Sequence, residues 1–360
     1  MTCVARLAAR AGLALGLALV LAACGTPRRP APEEDTVARA AAAPVAEPAA
    51  GDVLARNERF LIYLPRHDET LAQVARRFLG DDDEAWQIAE FNGLSRPQAG
   101  QPLVVPLKPV NAVGVTAEQV QSVPILCYHR FSGSVAASVG GMAGKMVVAS
   151  TSFAQQLDWL ARNDYHVIRL SQLLGFLEGR KPLPKRSVVI TIDDGYESVH
   201  RHALPALRKH GFPATVFVYT DFIGAGDALS WAQLQELDAS GLIDVEAHSK
   251  SHRNLIERAA GETDAAYRQA IEAETRVPRE QIERRLGHKV RAFAYPYGDA
   301  NEAVLEALGR QPYTLGVTVN PGGNPFYAQP LMLRRTMIYG DLDLDGFKAK
   351  LQIARPIVAP

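Results

Sequence analysis

The sequence predicts an α/β fold in which a parallel (β/α) barrel follows a small βααβ unit. From residue 123 onward, strand-like and helix-like stretches alternate, which is typical of a parallel sheet covered by helices. Three polar runs also come directly after apolar strands, and α/β barrels carry their chemistry at that end of the strands. The 360 residues are enough for such a barrel and a smaller unit.

The first residues have the pattern of an export signal. Arg6 and Arg10 precede an apolar run that ends in Leu21-Ala22-Ala23-Cys24, and this run is too short to span a bilayer. The small-small-Cys ending resembles a lipoprotein processing site. We therefore predict a lipoprotein signal peptide over residues 1–23, lipidation of Cys24, and a location in the bacterial cell envelope, on the periplasmic side of the outer membrane. The alternative is an ordinary cleaved signal in which Cys24 is incidental.

Residues 24–56 are rich in Ala, Pro and charged residues, which predicts an extended, disordered tether. Residues 57–109 form a separate predicted unit, with a strand at 60–63, helices at 70–79 and 84–92, and a strand at 100–106. This βααβ order resembles a LysM module, and the matching residues are Asp68-Glu69-Thr70-Leu71, Asn92 and the closing Gly-Gln-x-Leu-x-x-Pro. The resemblance implies binding of peptidoglycan or another N-acetylglucosamine chain. The alternative is a spacer domain.

After a predicted linker over 110–122, residues 123–355 are predicted to form the barrel domain. Strands are predicted at 125–128, 166–169, 188–192, 215–219, 243–247, 292–295 and 314–319. Helices are predicted at 153–161, 170–177, 198–209, 231–237, 265–286 and 302–308. The Gly-, Ala- and Ser-rich segment 132–150 is predicted to be a mobile insertion near the mouth.

The three polar runs carry the residue types of a metal-dependent hydrolase. They read Thr191-Ile192-Asp193-Asp194-Gly195, His248-Ser249-Lys250-Ser251-His252 and Ala294-Tyr295-Pro296-Tyr297. A carboxylate and two imidazoles four residues apart suit a zinc-like ion with an open coordination position. Adjacent side chains at a strand end diverge, so one aspartate can hold the ion while the other stays free as a base.

In this order the runs resemble the polysaccharide deacetylase family, which is carbohydrate esterase family four or the NodB-homology domain. Its first motif reads Thr-Phe-Asp-Asp-Gly and its second His-Ser/Thr-x-x-His. The resemblance implies a distorted, incomplete barrel of about seven strands. It implies that Asp193 is the base and that Asp194, His248 and His252 hold a divalent metal, Zn²⁺ with Co²⁺ or Ni²⁺ as alternatives. The backbone N–H near Tyr297 would stabilise the oxyanion.

The implied activity is removal of N-acetyl groups from an N-acetylglucosamine-containing polysaccharide, either biofilm poly-N-acetylglucosamine or peptidoglycan. Two alternatives stay open. One is an esterase of the same fold that removes O-acetyl groups from a glycan. The other is a catalytically weak wall-binding lipoprotein.

The chain departs from the family in its third motif, where an arginine that orients the base is missing. Arg334 or Arg335 could take over this task, whereas the alternative is that both flank a late strand and pair with surface acids. Arg335 is also a candidate substrate contact, as is Trp231, which could either stack on a sugar ring or pack in the core.

A second departure concerns the family's late histidine, which protonates the leaving amine. No histidine follows His288. In the secreted poly-N-acetylglucosamine deacetylases, a subgroup with permuted motif order, this histidine lies on the first strand. The run from Val123 to Phe131 resembles that strand, so His129 is the predicted general acid. The alternative is a structural histidine that caps the strand.

Composition excludes some classes of function. With 39 basic and 39 acidic residues, the net charge of +0 gives no sign of a nucleic-acid-binding surface. The chain has 3 cysteines, of which Cys3 leaves with the signal and Cys24 is lipidated, so Cys127 has no partner for a disulfide.

Overall fold

The computed structural model describes residues 50–133 and 141–357. The predicted signal peptide, Cys24 and most of the predicted tether lie outside these residues. Within them, no helix is long and apolar enough to cross a membrane.

The small N-terminal unit contains the predicted βααβ order, with one additional strand before it. Its elements are β1 (Val53–Arg56), β2 (Phe60–Tyr63), α1 (Leu71–Leu79), α2 (Ala85–Asn92) and β3 (Leu103–Pro106). The sheet is antiparallel, with β2 in the centre. Because β1 pairs with β2, the end of the segment predicted as a tether is a strand, and that boundary prediction is wrong.

Two of the motif residues have a local structural role in this unit. Thr70 caps α1, since its hydroxyl accepts a hydrogen bond from the backbone N–H of Gln73 while the Gln73 side chain accepts from the N–H of Thr70. The Asn92 amide joins the end of α2 to β3, donating to the carbonyls of Ile88 and Val104 at 2.8 Å and accepting from the N–H of Val104 at 2.9 Å. These bonds fix the register between the helical pair and the closing strand.

The barrel domain is built on a curled, mainly parallel sheet. Its strands are β5 (Val123–Tyr128), β8 (His166–Val167), β9 (Ser187–Ile192), β10 (Ala214–Val218), β11 (Ile243–Ala247), β12 (Ala292–Ala294), β13 (Leu315–Val317), β14 (Gly323–Asn324) and β15 (Thr336–Met337). Two further strands, β6 (Arg130–Ser132) and β7 (Val147–Ala149), form a separate small sheet. The main path of hydrogen-bonded strands runs β13-β12-β11-β10-β9-β5-β14, which agrees with the predicted incomplete barrel. Beyond this path, β8 pairs with β9 and β15 pairs with β5.

Six of the barrel helices lie close to the predicted ranges. They are α4 (Ser150–Arg162), α5 (Gln172–Leu177), α6 (Leu204–His210), α7 (Trp231–Ala239), α8 (Asp264–Leu286) and α9 (Glu302–Gly309). Two short helices, α3 (Gly141–Lys145) and α10 (Leu344–Ala349), were not predicted. The helix predicted at 198–209 is divided, because a π-helical turn at Val199–Ala203 precedes α6.

Two predicted connecting segments contain regular structure. In the predicted insertion 132–150, residues 134–140 lie outside the described residues, and the part after them contains α3 and β7, of which β7 pairs with β6. The predicted linker 110–122 contains a strand, β4 (Gln119–Gln121), which pairs antiparallel with the last strand, β16 (Ala354–Pro356). The two ends of the barrel domain are thereby joined, although they are far apart in the sequence.

Strand pleating divides the apolar residues of the sheet between two layers. On β9, Val188, Ile190 and Ile192 belong to the core under the helices, whereas Val189 belongs to the core inside the barrel. On β5, Ile125 faces the same interior. The residues two and four positions further along each strand therefore point into the barrel, towards its carboxyl end.

Candidate metal and catalytic site

The strand order brings the three predicted motifs to one edge of the sheet. The strands β5, β9, β10, β11 and β12 are parallel neighbours in that order. His129 follows β5, Asp193 and Asp194 follow β9, His248 follows β11, and Tyr297 lies just beyond β12. Residues separated by as many as 168 positions in the chain thus meet at the carboxyl ends of the strands.

The three predicted metal ligands converge. Potential ligand atoms of Asp194, His248 and His252 all lie within 4.8 Å of one another. Asp194 Oδ1 is 3.5 Å from His248 Nε2 and 3.3 Å from His252 Nε2. Nδ1 of His248 faces the carbonyl oxygen of Ala294 at 2.8 Å, which leaves Nε2 directed at Asp194.

This donor set fits a divalent metal. Asp194 Oδ1 is buried and has no hydrogen-bond partner of good geometry among the described residues, and a metal ligand position would account for such an atom. One carboxylate and two imidazoles are ligands that Zn²⁺ takes in sites with an open position. Burial opposes ionisation of Asp194, but the nearby imidazoles of His248 and His252 outweigh burial and hold the pKa of Asp194 below its usual value.

Backbone strain is concentrated at this site. Six residues other than glycine have a positive φ in the described part of the chain, and four of them are Asp194 (74°), Ser249 (72°), His252 (61°) and Tyr297 (61°). Left-handed backbone costs such residues of order 1–3 kcal/mol each, so it persists only where neighbouring contacts impose it. One of these contacts is the hydroxyl of Ser249, which accepts from the N–H of His252 at 2.9 Å.

Asp193 is held by a buried arginine. Nη1 of Arg335 donates to Oδ1 of Asp193 at 2.7 Å, and Nη2 donates to Oδ2 at 2.6 Å. Further guanidinium bonds reach the carbonyl of Thr318 at 2.8 Å and the hydroxyl of Thr191 at 3.1 Å. Burial would raise the pKa of Asp193, but the positive charges of Arg335 and His248 outweigh burial, so the pKa is lowered.

The same alternation of strand residues explains why these two side chains meet. Asp193 continues the interior face that begins with Val189, and Arg335 continues the interior face of Leu333. Leu333 forms a parallel bridge with Val317 of β13, while β15 pairs with β5. The segment 333–337 therefore connects the last and first strands of the barrel and carries Arg335 into its interior.

Arg335 is the residue whose prediction changes most. Its side chain has 0% exposure, so the prediction that it contacts substrate is wrong, because a side chain without exposed surface cannot reach a polysaccharide. The alternative of pairing with surface acids is also wrong. The hypothesis that it replaces the missing motif arginine agrees with the structure. Arg334 points away, donating to the carbonyl of Pro321 at 3.3 Å.

His129 lies beside the base rather than among the three predicted metal ligands. Potential ligand atoms of Cys127, His129 and Asp193 lie within 4.8 Å of one another. Burial lowers the pKa of His129 below its ordinary value, although Asp193 and Asp194 act in the opposite direction. The sequence did not reveal the contact of Cys127, whose Sγ lies 3.5 Å from Oδ2 of Asp193.

The two aromatic candidates differ in their surroundings. The Tyr297 ring is 60% exposed and meets the ring of His252 at 5.0 Å between centroids, at the mouth of the site. Trp231 begins α7 and packs partly buried against the main core, with the guanidinium of Arg285 5.5 Å from its ring. These contacts agree with the alternative that Trp231 packs in the core rather than stacking on a sugar ring.

Comparison with known proteins supports this description. The polysaccharide deacetylase family matches residues 180–316. The chain is 26% identical over 211 residues to the poly-β-1,6-N-acetyl-D-glucosamine N-deacetylase of Escherichia coli K12, which covers 49% of this chain and 31% of that protein. It is 27% identical over 208 residues to the putative polysaccharide deacetylase YxkH of Bacillus subtilis, covering 58% of this chain and 68% of the relative. The chain thus spans about a third of the length of the Escherichia coli relative.

Solved structures show the same fold. IcaB from Ammonifex degensii superposes with a TM-score of 0.55 at 29% identity, covering 65% of this chain and 98% of that one. The Streptococcus pyogenes deacetylase PplD, in complex with acetate, has a TM-score of 0.56 at 22% identity and covers 64% and 99%. Residues 180–316 therefore match the polysaccharide deacetylase family, within a domain that has the fold of solved deacetylases.

Proposed function

We propose that this protein removes N-acetyl groups from an N-acetylglucosamine-containing polysaccharide, with a divalent metal held by Asp194, His248 and His252. The observation that carries the proposal is the ionised, buried carboxylate of Asp193 beside this ligand set, with both oxygens bonded to Arg335. A carboxylate in that position is suited to take a proton from an attacking water. The similarity to the poly-β-1,6-N-acetyl-D-glucosamine N-deacetylase of Escherichia coli supports the N-acetylated polymer as substrate class.

Each residue has a separate task in the proposed mechanism. The metal, when bound, supplies a Lewis acid that polarises the acetyl carbonyl and acidifies water. Asp193 accepts the proton of the attacking water, because its carboxylate has lone pairs beyond the two that bind Arg335. The backbone N–H near Tyr297 donates to the developing oxyanion. His129 gives a proton to the departing amine.

Acetate release from purified polymers tests the activity. We expect the unlipidated protein to release acetate from poly-N-acetylglucosamine or from peptidoglycan, to lose this activity after chelation, and to regain it with Zn²⁺, Co²⁺ or Ni²⁺. Release from an O-acetylated glycan alone would support the esterase alternative instead. Metal binding without release from any of these polymers would support the wall-binding alternative.

A substitution at His129 tests the role of the general acid. An amine is a poor leaving group and must be protonated before it departs, whereas the phenolate released from an activated phenyl acetate ester departs without a proton. We expect His129→Ala to retain metal and to act about 10²- to 10⁴-fold more slowly on N-acetylglucosamine oligomers. The rate on an activated acetate ester should fall much less. Equal losses on both substrates would indicate a structural role, and unchanged rates would remove His129 from the mechanism.

We further propose that the mature protein is anchored by lipid at Cys24, on the periplasmic side of the outer membrane, and that the small unit binds peptidoglycan or another N-acetylglucosamine chain. The small-small-Cys ending supports the anchor, and the βααβ order supports the glycan module. Cys24→Ala should appear in the soluble fraction, and continued membrane retention would contradict the anchor.

Sedimentation of the Asp193→Asn protein with insoluble peptidoglycan tests the module, and failure to sediment would favour the spacer alternative.

A further inference from the structure

The loop between the two histidine ligands is bonded to a carboxylate on a distant helix. Oε2 of Glu274, on α8, accepts from the backbone N–H of Lys250 at 2.9 Å and from that of Ser251 at 2.9 Å. Oε1 accepts from the hydroxyl of Ser251 at 2.7 Å. Two successive backbone N–H groups form a small concavity that favours an anion, and the Glu274 carboxylate fills it.

The position of Glu274 is unusual for an acidic residue. It lies three residues after Ile271 and four before Pro278, on the side of α8 that is buried, and its own exposure is 7%. Burying a carboxylate is costly unless hydrogen bonds compensate for the lost water. The three bonds to the histidine loop provide this compensation, and they are the contacts that tie α8 to the loop.

The loop needs such a constraint, because its backbone is strained on both sides of the contact. Ser249 and His252 adopt left-handed φ values of 72° and 61°, and Lys250 and Ser251 lie between them. The bond from the N–H of His252 to the Ser249 hydroxyl lies within the loop and moves with it. Glu274 instead belongs to a helix of 23 residues, so it fixes the loop relative to the barrel.

We propose that Glu274 is a positioning residue that holds His248 and His252 in the geometry for metal binding before the metal arrives. This inference rests on the proposed metal site. Its consequence is that loss of the three hydrogen bonds from Glu274 to the loop lowers metal affinity, because part of the binding free energy must then be used to order the loop. Partners of ligating residues typically contribute 10- to 100-fold to metal affinity.

Zn²⁺ affinity, measured by competition with a chromophoric chelator, tests the proposal. We expect Glu274→Ala to bind Zn²⁺ about 10- to 100-fold more weakly than the parent. Glu274→Gln should remain close to the parent, because its amide oxygen can accept from both N–H groups and its amide nitrogen can donate to the Ser251 hydroxyl. The matched control is Glu280→Ala on the same helix, where Glu280 pairs with Arg276 at the surface, and it should leave the affinity unchanged.

A purely structural role predicts a different pattern. In that case Glu274→Ala would lower the stability of the metal-free protein but bind Zn²⁺ like the parent, and this result would overturn the proposal. Equal weakening in the Gln and Ala variants would also overturn it, since geometry rather than charge is proposed to matter. If Glu274→Ala does not fold, Glu274→Asp decides: its shorter side chain keeps the charge but loses reach, so parental affinity would count against the proposal. A parent protein that binds none of Zn²⁺, Co²⁺ and Ni²⁺ would instead refute the proposed function.

Discussion

Replacement of Asp193 by asparagine is expected to reduce acetate release by about 10² to 10⁴-fold while the protein keeps its metal. Asparagine has nearly the same shape, but its amide cannot accept the proton of the attacking water. Asp193 lies outside the group formed by Asp194, His248 and His252, so its replacement leaves the donor set intact. Metal content and acetate release should be measured on the same preparation.

The neighbouring aspartate provides the matched control. Asp194→Asn alters a ligand atom and is expected to release the metal as well as abolish activity. The pair of variants thus separates the base from the ligand, although the two residues are adjacent. Parental turnover in Asp193→Asn, or metal loss in that variant alone, would contradict the assignment of roles.

Replacement of Arg335 by methionine is expected to lower the free energy of unfolding by about 3–5 kcal/mol, because it leaves the charge of Asp193 buried without its partner. Both side chains are almost wholly buried, with 0% and 2% exposure. Turnover should fall as well, since Asp193 then favours its protonated form and cannot act as a base. Urea denaturation of the metal-free protein measures the first effect, and acetate release measures the second.

The adjacent Arg334 is exposed, and Arg334→Met serves as the control, with an expected change in stability within about 0.5 kcal/mol. The stability of Arg335→Lys should lie between those of Arg334→Met and Arg335→Met, because an ammonium group cannot bind both carboxylate oxygens in the same planar way. Comparable losses in Arg334→Met and Arg335→Met would contradict the buried pair.

The stability difference should also depend on pH. The pKa of Asp193 is lower in the folded protein than its ordinary value, so the contribution of the pair is present above the ordinary carboxyl pKa. This contribution is lost as the pH falls through the lowered folded value. The gap between the parent and Arg335→Met should therefore be largest at neutral pH and shrink in acid. A gap that stays constant into acid would indicate packing rather than charge as its source.

The sequence by itself determined the main strands and helices of the barrel and named the residues of the candidate site. Strands with alternating apolar residues such as Ile243–Ala247 and long helical stretches such as Asp264–Leu286 are local patterns, and both occur where they were predicted. The candidate ligands could be named because His248 and His252 lie four residues apart and Asp194 closely follows a strand. Each of these patterns lies within one continuous stretch of the chain, so it can be recognised before the order of the strands is known.

Only the tertiary structure decided the contacts that support the site. Arg335 lies 142 residues after Asp193, and its place in the barrel depends on the bridge of Leu333 to β13 and the pairing of β15 with β5. In the sequence, Glu274 is one of several acidic residues on a charged helix. Only the packing of α8 against the histidine loop gives its carboxylate a partner. A side chain's burial and partner depend on strand order and helix packing, which join residues distant in the chain. For this reason the sequence could name Arg335 as a candidate cation. Its position as the buried partner of Asp193 became evident only from the fold.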